Sequence, residues 1–157
     1  MERTRPDDVF LLPAFFQGSW RLQRRMRDDI QAVSGTAHGR CVFHPAGDGI
    51  LQYREEGRLL LDGAAAPLGF RRAFLYTFAD EVVSVAFDDG DRIGLHYQAY
   101  RRKGNALVPV GPHQCGADAY SAHYRLLGEN EFEMETTIDG PSKKSRLYTR
   151  FTREEAA

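Results

Sequence analysis

The chain has little cysteine, no long apolar run and no excess of charge of either sign. Two cysteines, Cys41 and Cys115, among 157 residues are too few for the disulfide framework of a small secreted scaffold or for a zinc cluster. No apolar segment approaches the roughly 20 residues that cross a bilayer as a helix, so no membrane association is expected. Lys+Arg number 21 and Asp+Glu 22, for a net charge of -1. The basic clusters (Arg24-Arg25, Arg71-Arg72, Arg101-Arg102-Lys103, Lys143-Lys144) are scattered, so the basic face of a nucleic-acid binder is missing. Residues 1–10 are charged and hold no signal-peptide apolar core, which with two free thiols leads to the expectation of a cytoplasmic protein. Serine-elbow, phosphate-loop and HExxH motifs are lacking too, so the hydrolase and kinase templates find no footing.

What is there is the composition of an ordinary globular domain, 42% hydrophobic and 27% charged, long enough to bury a core as one unit over residues 1–157. Helical periodicity is not sustained anywhere. Instead, short alternating segments recur between turn residues. The first, Ser19 to Asp28, sets Trp20, Leu22 and Met26 against Arg21, Gln23 and Arg25. Others follow at 36–44, 50–56, 58–62, 70–79, 82–88, 92–100, 117–127, 131–138 and 145–152. Gly- and Asp-bearing turns separate them, as at Asp88-Asp89-Gly90, Gly128-Glu129-Asn130 and Asp139-Gly140-Pro141. Gly57 reads as a bulge inside one long strand. The apolar run Val9–Phe16, interrupted by Pro13, reads as a short N-terminal helix or 3₁₀ turn closing one end. The fold expected is all-β: an antiparallel up-and-down β-barrel of about 8–10 strands with that short helix.

The chemistry-bearing residues concentrate between His113 and Tyr124. On 117–127, Asp118, Tyr120, Ala122, Tyr124 and Leu126 share one face, which reads as interior, while His123 falls on the other. Gly116 frees His113 and Cys115 from that alternation. On 92–100 the pattern does not decide whether the face of His96 and Gln98 or that of Tyr97 turns inward. His113 and Asp118 could equally be a hydrogen-bonded plug at a barrel end.

With these features in hand, the chain resembles the lipocalin-like (calycin) barrels. Gly18-x-Trp20 matches their opening motif, in which the Trp packs at the floor. The resemblance implies a C-terminal Arg over that Trp, a role for which Arg150 is the first candidate and Arg153 a competing one. It is similar over nearly its whole length to the domain-of-unknown-function family 6314. That similarity rests on Phe15-Phe16-Gln17-Gly18-Ser19-Trp20, Leu51-x-Tyr53-x-Glu55-x-Gly57, Phe87-x-Asp89-Gly90 and Leu95-His96. It continues through His113-x-Cys115-x-x-Asp118-x-Tyr120-x-x-x-Tyr124 and Gly140-Pro141-x-Lys143. The family implies a fold and no established activity. The usual aromatic residue at the position of Met134 or Glu135 is not present.

Three functions fit these residues. The first is a small-molecule-binding barrel with ligand contacts from Trp20, Tyr53, Phe74, Tyr76, Tyr120 and Tyr124 and polar contacts from His96, His113, Cys115 and Asp118. The second is an enzyme acting on a small organic molecule. His113 or His96 would be the base, Asp118 its orienting partner and Tyr120 or Tyr124 a donor to a developing oxyanion; a variant uses Cys115 as nucleophile. The third is a haem-binding barrel, by analogy with nitrobindin, with one of five histidines on the iron. His113, Cys115 and His123 would give three zinc ligands without a fourth. No cofactor and no metal is therefore expected. A homodimer through a sheet edge or barrel wall is compatible with such a fold.

Overall fold

A computed structural model describes residues 12–111 and 113–154. Its strands are β1 (Gly18–Asp28), β2 (Val33–Gly47), β3 (Ile50–Leu61), β4 (Leu68–Ala79), β5 (Val82–Phe87), β6 (His96–Lys103), β7 (Ala106–Pro109), β8 (His113–Cys115), β9 (Asp118–Gly128), β10 (Glu131–Asp139) and β11 (Lys144–Arg153). Neighbours pair antiparallel in chain order, and β11 returns to β1 with Trp20 opposite Arg153 and Asp28 opposite Ser145. β7 joins the C-terminal half of β9, and β8 joins its N-terminal half. Ten strands thus close the ring, with β8 as a short extra rung. Among the described residues, closure leaves no long unpaired edge.

Alternation sets the interior. Trp20, Leu22, Arg24, Met26 and Asp28 of β1 point inward, opposite the odd residues of β2 and β11. At the lower end Phe15, Phe16, Trp20, Phe43, Phe132 and Phe151 form a solid aromatic floor, with the Phe132 and Phe151 rings stacked at 4.2 Å and Trp20 edge-on to Phe132 at 4.7 Å. Burying each such side chain contributes about 1.5–3 kcal/mol. The Trp20 Nε1–H donates to the Phe16 carbonyl at 2.8 Å.

The upper rim is made by the turns after β1, β3 and β5, by the segment between β7 and β9, and by the β10–β11 turn. Asp28 fastens it. Its Oδ1 accepts from the Ile30 and Gln31 N–H groups and its Oδ2 from the Ser145 hydroxyl at 2.5 Å. Asp89 ties the turn after β5 to β4 by accepting from the Ala73 N–H at 3.0 Å.

Several expectations need correction. Of the helix or 3₁₀ turn expected at Val9–Phe16, the described part, residues 12–16, shows a turn and no helix, closed by the Phe16 and Gln17 N–H groups on the Pro13 carbonyl. Residues 9–11 lie outside the described residues. Gly57 is not a bulge. It faces Gly39 in regular register, and a Cβ on it would stand 2.3 Å from the His38 carbonyl oxygen and 2.7 Å from the Phe70 ring. The pair lets two backbones and an aromatic ring meet where a side chain would intervene. The strand placed at 92–100 begins only at His96, because Gly90–Arg92 is a 3₁₀ turn. β7 and β8 were not foreseen; the two-residue Gly104-Asn105 turn was the signal for the first.

Arg153, not Arg150, covers the tryptophan. Its guanidinium carbon lies 4.2 Å from the Trp20 ring centre, and the fork donates to the carbonyls of Phe15 (2.7 Å), Gln17 (3.0 Å) and Glu129 (3.0 Å). Arg150 has the opposite parity, stands on the outer wall and pairs with Glu131.

Arg153→Ala should therefore lower the unfolding free energy by about 2 kcal/mol, the scale of a lost cation–π contact plus charge-assisted hydrogen bonds, while Arg150→Ala leaves the urea midpoint essentially where it was. Equal effects of the two substitutions would contradict the floor described here.

Candidate ligand cavity

Above the aromatic floor the packing opens. The cavity is lined from β3 and β4 by Tyr53, Glu55, Arg72, Phe74 and Tyr76, from β6 and β9 by Tyr97, Tyr120 and Tyr124, and from β10, β11 and β1 by Met134, Thr136, Ile138, Leu147, Thr149 and Arg24. About 60 Å³ is open to the centres of water-sized molecules, several times the roughly 10–15 Å³ that one water needs. The interior is neither filled nor wide.

Most of the expected aromatic residues meet here. The Tyr76 and Tyr124 hydroxyls are hydrogen-bonded at 2.7 Å, and Tyr100 packs edge-on against Tyr124 at 4.9 Å. Burial raises the phenols of Tyr53, Tyr76, Tyr100 and Tyr124 above their ordinary range, so all four stay protonated. The ambiguity on β6 is resolved by an irregularity against β5: Val85 faces Gln98, yet Ala86 faces His96. The extra residue is Tyr97, so both Tyr97 and Tyr100 reach inside. Gln98 is buried and donates to the Gly111 carbonyl, holding the segment after β7.

The other expected residues lie elsewhere. Trp20 belongs to the floor and is fully buried there. His96 is exposed at the start of β6. His113 sits at the rim with its ring 5.2 Å from Tyr97, 6.1 Å from Tyr120 and 6.3 Å from Phe87. Burial lowers its pKa, helped by the charges of His96 and Arg92, so it is mainly neutral at pH 7. Asp118 pairs with Cys115 across the β8–β9 turn, and its Oδ1 lies 1.8 Å from where a Gly140 Cβ would be. A side chain at position 140 would have to displace that carboxylate. His123 is exposed on the outer face of β9. Among the described residues no three of His, Cys, Asp and Glu gather as a metal site.

Sequence reasoning missed the ionic centre of the cavity. Glu55, with its side chain 1% exposed, receives Arg24 Nη1 at 3.0 Å on Oε2, Arg24 Nη2 at 3.3 Å and the Tyr53 hydroxyl at 2.7 Å on Oε1. Arg72 Nη2 reaches Oε1 at 3.5 Å, and Arg24 Nε donates to Thr149 Oγ1 at 2.8 Å. Burial alone would raise the Glu55 carboxyl; the charges of Arg72 and Arg24 and the hydrogen bonds that Glu55 accepts from Arg24 and from the Tyr53 hydroxyl reverse this and hold it at about 2. The signal was parity. Arg24 falls on the Trp20 face, Glu55 on the Tyr53 face and Arg72 on the Phe74 face.

The fold and site define a closed, lipocalin-like antiparallel barrel with one polar cluster inside an aromatic cavity. The chain belongs to the family of unknown function DUF6314, which it matches over residues 16–153. No curated protein matches it in sequence. In structure it is similar to an S-type phycobiliprotein lyase, CPES, from Guillardia theta, with a TM-score of 0.67, 8% identity, and 92% of this chain and 91% of the lyase covered. It is also similar to a protein of unknown function from the DUF3598 family of Nostoc punctiforme, with a TM-score of 0.57, 10% identity, and 90% of this chain but 48% of that one covered. At these identities the likeness is one of fold.

Glu55→Gln removes the anion between two arginines and should destabilise the protein by about 3–5 kcal/mol, the usual result of breaking one side of a buried pair. Because its folded pKa is depressed, Glu55 contributes fully above its ordinary value of 4.5 and loses that contribution as pH falls towards 2. The stability gap between wild type and Glu55→Gln, measured by urea unfolding at several pH values, should shrink across that window. A gap independent of pH would contradict the assignment.

Proposed function

We propose that the protein is a small-molecule-binding barrel whose ligand enters at the upper rim and lodges against Tyr53, Phe74, Tyr97, Tyr120 and Met134. One observation carries the reading: the floor is solid while the upper interior keeps open space beside a few convergent polar groups, the composition of a ligand site. A barrel evolved only for stability would fill that space, since each void costs packing energy.

Acid–base catalysis gains less support. The rim histidine His113 rests on aromatic rings, while the Asp118 carboxylate is turned to Gly140. Those two groups would need to move together before one could orient the other. Haem ligation gains less too, because His96 and His113 stand at the rim rather than over the cavity floor. The lyase likeness supports the container and leaves the contents to experiment.

Met134→Trp places a bulky ring in the cavity. In a thermal-shift screen of small aromatic and aliphatic compounds, wild type should give saturable stabilisation by at least one compound, and Met134→Trp should lose it. The reading is overturned if wild type responds to nothing and Met134→Trp is more stable than wild type, since that is how an unused core void behaves.

A further inference from the structure

The cavity is aromatic in most of its lining, yet the charges within it do not cancel. Its charged lining residues are Arg24, Glu55 and Arg72, so two cations less one anion leave a net charge of +1 inside the wall. Their hydrogen bonds are unequally shared. Arg24 uses all three of its nitrogens in orienting contacts, with Nε on Thr149 and both terminal nitrogens on Glu55. Glu55 accepts from Arg24 on both oxygens and from the Tyr53 hydroxyl on one, and its single charge offsets only one of the two cations. Arg72 reaches it only at 3.5 Å, the outer limit of a hydrogen bond.

The Arg72 guanidinium is held in place by other means. It lies over the Phe74 ring, 5.4 Å from its centre, which orients the plane without using an N–H. Its side chain is 45% exposed, so water can solvate the remaining donors of the fork until something displaces it. An apolar neutral ligand would strip that water and leave the cation unmatched, which is costly. A cationic ligand would meet a like charge. A phosphate monoester carries nearly two negative charges at pH 7, overshoots the excess and faces Glu55 as well. One negative charge balances one positive, and a flat carboxylate matches the planar fork of an arginine two bonds at a time.

Building on the binding function above, we infer that the ligand is an apolar small molecule bearing a single carboxylate, which docks on Arg72 while the apolar body lies against Tyr97, Tyr120 and Met134. Glu55 then serves to hold Arg24 and to limit the site to one negative charge. The tyrosine hydroxyls of the cavity, protonated throughout, are donors that tolerate an anion nearby.

The test uses three probes of one shape: 2-naphthoic acid, its neutral amide and 2-naphthyl phosphate, titrated calorimetrically into the full chain at pH 7. The acid should bind roughly tenfold or more tightly than the amide, the scale of a charge-assisted pair, and more tightly than the phosphate. Arg72→Gln should abolish the preference for acid over amide, and Arg72→Lys should restore part of it. As a readout independent of any variant's folding, the ¹³C-carboxyl shift of bound naphthoic acid should titrate at lower pH than that of the free acid. Equal or tighter binding of the amide overturns the inference and leaves the binding function standing. So does a preference that survives Arg72→Gln, tighter binding of the phosphate, or a bound carboxyl that titrates higher. Failure of all three probes to bind removes the binding function at this site, and the inference with it.

Discussion

The contact on which the barrel most depends is the seating of Arg153 on Trp20. One guanidinium lies on the indole and binds carbonyls from the segment before β1 and from the β9–β10 turn. It thereby joins three separate parts of the chain at one end of the ring. The aromatic floor beneath the cavity follows from that junction: Phe16, Phe132 and Phe151 pack against the same tryptophan or against one another. With the lower end sealed, exchange with solvent is confined to the rim, where His113, Asp118 and the turn after β5 stand.

A closed ring of alternating strands also decides which charges matter. Outward arginines such as Arg40 and Arg150 pair with glutamates in water, where such pairs contribute little. The same residue types turned inward have a different meaning. Glu55 gives up its hydration, and only the combined fields and hydrogen bonds of two arginines and a tyrosine keep it ionised. An apolar pair would be simpler to pack there. That an ionic centre stands in the middle of an aromatic container argues that its charge has a use.

Much of the architecture was legible because period-two patterning is a strong signal in half-buried strands. Trp20 and Leu22, Leu51 and Tyr53, and Tyr120 and Tyr124 carry it in single segments. What escaped notice has local physical causes. The reading of Val9–Phe16 as a short helix or 3₁₀ turn rested on apolar density alone, and the described part is a turn closed on the Pro13 carbonyl. The bulge at Tyr97 reverses parity at the start of β6, in the middle of the segment 92–100, so no regular alternation could name the interior face. The larger omission was Arg24, Glu55 and Arg72. Each shares a strand face with Trp20, Tyr53 or Phe74, all expected as ligand contacts, but a charged side chain on such a face does not fit the expectation of an apolar core. An inward-facing charge on three neighbouring strands is the pattern that would have found the site.

The pairing of β1 with β11 sets Trp20 beside Arg153, two residues separated by almost the entire described chain. Until β11 exists, β1 has only one partner and β10 lacks one of its own, so the growing chain carries two unsatisfied strand edges and an uncovered tryptophan. Ring closure consequently cannot precede the synthesis of β11, and among the strand pairings of the barrel it closes the largest loop. A chain of this topology spends its formative period exposed to edge-to-edge association with its neighbours. Its yield in a cell then depends as much on protection during those moments as on the stability of the finished barrel.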